Sequence, residues 1–133
     1  MKFMLMMNAP RGKGGDWDVV NWTQDELKAH IGHMDKLHKE LSNEGVLVAA
    51  EGLAPPSQAR LVRATKGAAH EVTDGPFAEA KEFLAGYWIV DVETPEQAYA
   101  IAGRASVAPG PGRKPLNMPI EIRQVMSGPP VDP

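Results

Sequence analysis

Cysteine is absent from the 133 residues, which removes disulfides, thiolate zinc sites, iron-sulfur clusters and cysteine nucleophiles together. A chain without thiols fits a reducing compartment, so the cytoplasm is the expected location. Excess positive charge is also lacking: 14 Lys and Arg against 17 Asp and Glu leave a formal charge of -3. No general attraction to a phosphate backbone follows from that balance, and nucleic acid is not an expected direct partner. No apolar run approaches the roughly 20 residues of a spanning helix, so no membrane association is expected. The apolar start from Met1 to Met7 breaks at Asn8 and Pro10, short of a signal segment with a cleavage site, and reads as a buried strand. The glycine run Arg11-Gly12-Lys13-Gly14-Gly15 lacks the Gly-Lys-Ser/Thr of a phosphate loop, and no His-Glu-x-x-His occurs. Neither a cofactor nor a metal is expected.

With 43% hydrophobic and 23% charged residues, the chain is composed like one compact domain. At this length folding removes roughly two-thirds of the unfolded surface from water, enough for a single core. The domain is expected over residues 1–126, followed by an extended proline-rich tail over 127–133. Thr23-Gln24-Asp25-Glu26 forms a capping box that predicts a helix from Gln24 to Asn43, with Leu27, Ile31, Met34, Leu37 and Leu41 at helical spacing and Gly45 as its stop. Val46 to Ala50 reads as a strand buried on both faces or a central one. Residues 59–65 and 69–73 flank Lys66-Gly67 as the arms of a hairpin. Asp74-Gly75-Pro76 is a turn, and Phe83 to Val92 is the strongest strand, with Gly86 marking a close backbone approach or a bulge. Thr94-Pro95-Glu96-Gln97 starts a second helix ending near Ala105. Val107 to Asn117 is too rich in proline and glycine for a regular element, and Pro119 to Met126 alternates as a half-buried strand.

Two strand-helix-strand units with a hairpin inserted between them make an α+β, ferredoxin-like sandwich. Its helices cover one face of the sheet and leave the other for a second copy, which predicts a homodimer.

The segment Thr73-Asp74-Gly75-Pro76-Phe77-Ala78-Glu79-Ala80-Lys81-Glu82, followed by Gly86-Tyr87, resembles the defining motif of the DGPF branch of the YCII-related family. The resemblance extends to Glu44 through Val48, Glu51-Gly52-Leu53 with Pro55-Pro56, the second capped helix, and the last strand with Glu121 and Arg123. It implies a dimeric α+β barrel. Some relatives resemble small isomerases of aromatic-acid breakdown thought to use a His and an Asp; others are encoded beside, or fused to, alternative sigma factors, which implies a possible sigma-factor partner. Counted back from Gly45, the helix histidine of the former relatives falls on Met34 rather than on His33.

Asp74 is the first candidate for acid-base chemistry, since a carboxylate in a tight turn beside strands can be partly desolvated and accept a proton. Aspartate before Gly-Pro is equally good turn chemistry. His30 and His33 are the candidate partners of Asp74, and His30, Met34 and His38 form one ridge at four-residue spacing. Two histidines eight residues apart lie about 12 Å distant along a helix, too far to share one metal by themselves. Each histidine reads either as a neutral ring lining a pocket or as a base. Gly75, Pro76, Phe77, Glu79, Lys81, Glu82 and His38 complete the candidate pocket and motif residues. The three charges among them form either an ion-pair network holding the Asp74 turn against Arg60 or Arg63, or a solvated run.

The expected function is a homodimer with a small-molecule pocket and isomerase- or lyase-like acid-base chemistry on an aromatic or carbonyl metabolite. The alternative is a non-catalytic regulatory or docking module linked to sigma-factor-dependent transcription.

Overall fold

The structure, a computed structural model, describes residues 1–11, 19–67, 69–77 and 79–126. The expected tail over 127–133 and the glycine run with Trp17 lie outside the described residues.

Chain order follows from local signals. Strand β1 (Lys2–Pro10) buries Phe3, Leu5, Met7 and Ala9 on one face, the period-2 pattern of a half-covered strand. Helix α1 (Gln24–Asn43) begins at Thr23, whose hydroxyl accepts the Glu26 N–H while Glu26 accepts the Thr23 N–H. It ends because Gly45 adopts φ 74°, a left-handed conformation open to glycine at little cost. Then come β2 (Leu47–Gly52), β3 (Arg60–Arg63), β4 (Glu71–Asp74), β5 (Glu82–Asp91), α2 (Pro95–Ser106), capped by Thr94 and Gln97, and β6 (Ile120–Gln124).

Strands β2, β5, β1 and β6 lie in that order in one sheet, every neighbouring pair antiparallel. Leu37 and Leu41 of α1 and Ala98, Ile101, Ala102 and Ala105 of α2 join the core formed with Phe3, Leu5, Trp88 and Val90. Both helices therefore cover the same face, the ferredoxin-like arrangement. The alanines let α2 lie close to the strands. On the opposite face β1 presents Met4 and Met6, which pair across the sheet with Ile89 and Tyr87 of β5. No described element covers them.

Strands β3 and β4 pair only with each other, with Gly67 (φ 72°) in the turn between their arms. Their cross-strand pair Val62 and Val72 stays 65% and 54% exposed.

Three details differ from the periodicity. The second strand is neither central nor buried but lies at the sheet edge with Val48 50% exposed, and it runs on to Glu51 and Gly52 because these residues continue pairing with Tyr87 and Gly86. Asp74 is the last residue of β4, opposite Arg60, and the turn follows it with a cis Gly75–Pro76 bond. The Pro/Gly-rich segment after α2 folds back on itself through a one-turn helix (Pro111–Arg113) and a Pro109–Pro115 bridge. Glu26 anchors it: besides capping α1, its carboxylate accepts the Gly112 N–H at 2.5 Å. The Gly112 bond, followed by the Thr23 bond, holds the Glu26 carboxyl below its ordinary 4.5.

Candidate functional site

The α1 ridge of His30, Met34 and His38 faces the end of the sheet where β2 and β5 pair, and a cleft of about 180 Å³ lies between them. Its floor includes Met7 and Ala85; Trp88 comes from β5 and Gly52 from the end of β2, and Tyr87 and Glu51 border it although the register turns their side chains to the opposite face. Its volume lies below the roughly 300–1,000 Å³ common for drug-sized ligands, so a single small molecule fits it best.

The backbone shapes this end. Met7 pairs with Gly86 but Asn8 with Leu84, so Ala85 is an extra residue and β5 bulges here. A Cβ on Gly86 would lie 3.0 Å from the Glu51 carbonyl oxygen, so β2 and β5 approach this closely only with glycine. Both sequence-based readings of Gly86, a close approach and a bulge, apply.

Hydrogen bonds fix the imidazoles. The Trp88 indole N–H donates to His38 Nε2 at 2.9 Å, with the rings edge to face at 6.3 Å. His30 Nδ1 donates to the Pro109 carbonyl at 3.0 Å and packs edge to face on Trp22, centroids 5.5 Å apart. Glu26 thus acts at one remove, holding the segment that supplies the Pro109 carbonyl. His33 turns away from this cleft: its Nε2 donates to the Arg104 carbonyl at 2.8 Å, in a groove between the helices that also contains Lys36 and Glu40. Arg104 in turn pairs with Glu40 at 2.6 Å and Glu44 at 3.5 Å.

Burial lowers the His30 pKa below its ordinary 6.5; the Pro109 bond opposes that shift and the nearby His33 adds to it. As pH falls, the unfolded chain therefore takes up this proton first. The stabilisation associated with neutral His30 is full above about 6.5 and is lost as pH falls through the lower folded value. The Glu26 contribution has the same sign in a lower window, below 4.5. His30→Asn retains a donor for Pro109 and removes the titration. Urea unfolding is expected to show a smaller loss of stability just below pH 6.5 in this variant than in the parent, and equal losses would contradict the assignment.

Asp74 sits elsewhere in the chain. Its side chain is 93% exposed, and its ionic partner is Arg60 at 3.6 Å. Within one chain it does not line the α1 cleft, so the structure brings His30 and His38 together but not Asp74. Phe77 is 70% exposed beside the hairpin. Glu79, Lys81 and Glu82 form no ion pair among the described residues, and Arg60–Asp74 is the one contact of the expected network that is formed. Arg11 holds the motif segment instead, its guanidinium donating to the carbonyls of Phe77 at 2.9 Å and Ala80 at 3.2 Å, and its N–H to that of Lys81. The sequence points to neither that clamp nor Trp88, although the run Gly86-Tyr87-Trp88 carries an aromatic signal, and it marks Tyr87 and Glu51 only through the family resemblance, not as site residues.

No three metal-ligating side chains converge among the described residues, and none of the described helices is long and apolar enough to cross a membrane. A model of the YCII-related domain family matches residues 1–109. No curated protein matches the chain.

Proposed function

The chain belongs to the YCII-related family, and we propose that it binds one small, largely apolar metabolite between α1 and the β2–β5 end of its sheet, where its imidazoles hold that molecule for acid-base chemistry. The observation that carries this reading is the His38–Trp88 bond at 2.9 Å in a cleft with an apolar floor. An oriented imidazole on apolar walls is how small-molecule sites combine affinity with orientation. The motif Asp74-Gly75-Pro76-Phe77 supports placement in the DGPF branch, and the lack of cysteine favours action in the cytoplasm.

The uncovered face with Met4, Met6, Tyr87 and Ile89 supports a homodimer packed sheet on sheet. Asp74 enters the same chemistry only where the hairpin of one copy reaches the cleft of the other. Light scattering is expected to give about twice the 14.4 kDa chain mass, and a monomer at micromolar concentration would rule out the sheet-on-sheet dimer.

Met34 lies between the two histidines, so Met34→Trp fills the cleft from the helix side. A thermal-shift screen of small aromatic carbonyl compounds is expected to find stabilisers of the parent protein that leave a folded Met34→Trp variant unshifted. Equal shifts in both would place binding elsewhere.

A further inference from the structure

We infer that His38 serves the cleft as a neutral hydrogen-bond donor rather than as a base, and that the bound molecule offers it an uncharged acceptor, a carbonyl oxygen. This inference rests on the cleft being a ligand site, as proposed above.

Indole nitrogen is a donor only, with no acceptor lone pair. The 2.9 Å contact from Trp88 Nε1 therefore requires an unprotonated Nε2 on His38, and the neutral ring carries its proton on Nδ1. Trp88 is 5% exposed, within the core, so its N–H has little access to water as a substitute partner. Nδ1 of His38 has no protein partner among the described residues. That nitrogen is not buried away from water, so an acceptor bound in the largely apolar cleft that His38 lines can replace solvent on this donor. Among the described residues neither lysine nor arginine lines the cleft, so a carboxylate bound there would lose its water with no counter-charge to replace it. Of the common oxygen acceptors, that favours a ketone, aldehyde or neutral amide over an acid. Proton abstraction, if the cleft performs it, falls to a group other than His38, whose part is to polarise the acceptor.

Acetophenone and ethylbenzene form a probe pair of similar shape, and only the first has an acceptor. Long-range proton–nitrogen spectra of the full chain are expected to show His38 protonated at Nδ1. Titration is expected to show acetophenone binding roughly three- to tenfold more tightly than ethylbenzene, the scale of one net hydrogen bond. His38→Leu should bring that ratio to about one, while His38→Asn, which keeps an N–H near the Nδ1 position, should preserve most of it. A proton on Nε2, or a ratio near one in the parent protein, overturns the inference. If both probes bind equally well, the cleft stands as a ligand site and only the donor role falls. If neither perturbs residues of the cleft, the ligand-site reading falls and takes this inference with it.

Discussion

Trp88→Ala is expected to lower the free energy of unfolding by about 3–5 kcal/mol, as loss of a buried aromatic ring usually does. Trp88 is among the core residues, and its ring spans the distance from the sheet to α1, where the indole N–H meets His38. Alanine removes the packing and the donor together. Trp88→Phe separates the two effects, because it keeps most of the apolar volume and leaves His38 Nε2 without its donor, at a cost of about 1–3 kcal/mol. Urea unfolding of the three proteins measures both differences. Similar losses for Phe and Ala would mean that the hydrogen bond, not packing, dominates; a neutral Trp88→Phe would mean that His38 is not held by the indole. Since small domains are stable by only about 5–15 kcal/mol, the alanine variant is expected to be near the limit of folding.

The second large effect is expected at Gly86. A methyl group there meets the Glu51 carbonyl at 3.0 Å and the Gly52 Cα at 3.5 Å, both backbone atoms of the paired strand. Neither can rotate away, so β2 must shift or the bulge at Ala85 must rearrange. Gly86→Ala is therefore expected to cost about 1–3 kcal/mol, the usual range for overpacking, and to narrow the cleft whose wall these strands form. Gly32 provides the internal comparison. It lies within α1, where nothing approaches a Cβ within 4 Å, and Gly32→Ala is expected to be stabilising by up to about 1 kcal/mol through helix propensity. Opposite signs for the two substitutions in denaturant titrations would show that the close strand approach is responsible. A harmless Gly86→Ala would mean that the sheet end is looser than described.

Helix α1 is legible in the sequence at both ends because its boundary signals are local: Thr23 and Glu26 satisfy each other three residues apart, and Gly45 takes the left-handed stop. The same holds for Thr94 and Gln97 at α2 and for Lys66-Gly67 between the hairpin arms. The ridge of His30, Met34 and His38 is legible because helical spacing alone places the three together. What lies across from that ridge is not local. Trp88 and His38 are separated by 50 residues, and Trp88 stands in a run that is apolar on both strand faces, so alternation cannot say which face meets the helix. The extra residue at Ala85 further changes the pairing register. Glu51 joins the cleft because β2 runs past its apolar stretch, held by main-chain pairing that its side chains do not announce. Arg11 reaches the motif through main-chain carbonyls, which leave no trace in residue identity. Asp74 illustrates the converse: its motif is recognisable at sight, yet its position opposite Arg60 depends on the hairpin register.

The Arg11 clamp and the Glu26 tie have a common consequence. Each fixes a connecting segment, at Phe77, Ala80 and Lys81 in one case and at the one-turn helix after Pro109 in the other, by bonding backbone groups that the sheet and the two long helices do not satisfy. The second holds the carbonyl that orients His30, so the chemistry of the ridge depends on a loop as well as on the helix.

The space between His30, His38 and Trp88 is where the proposed function seats a small molecule. Crystals of the full chain soaked with acetophenone measure this most directly. Ordered density is expected for the probe between α1 and the β2–β5 end, in contact with Met34 and the Trp88 side. A probe seated solely on the exposed Val62–Val72–Phe77 surface, or a cleft that holds only water at saturating probe, would contradict it.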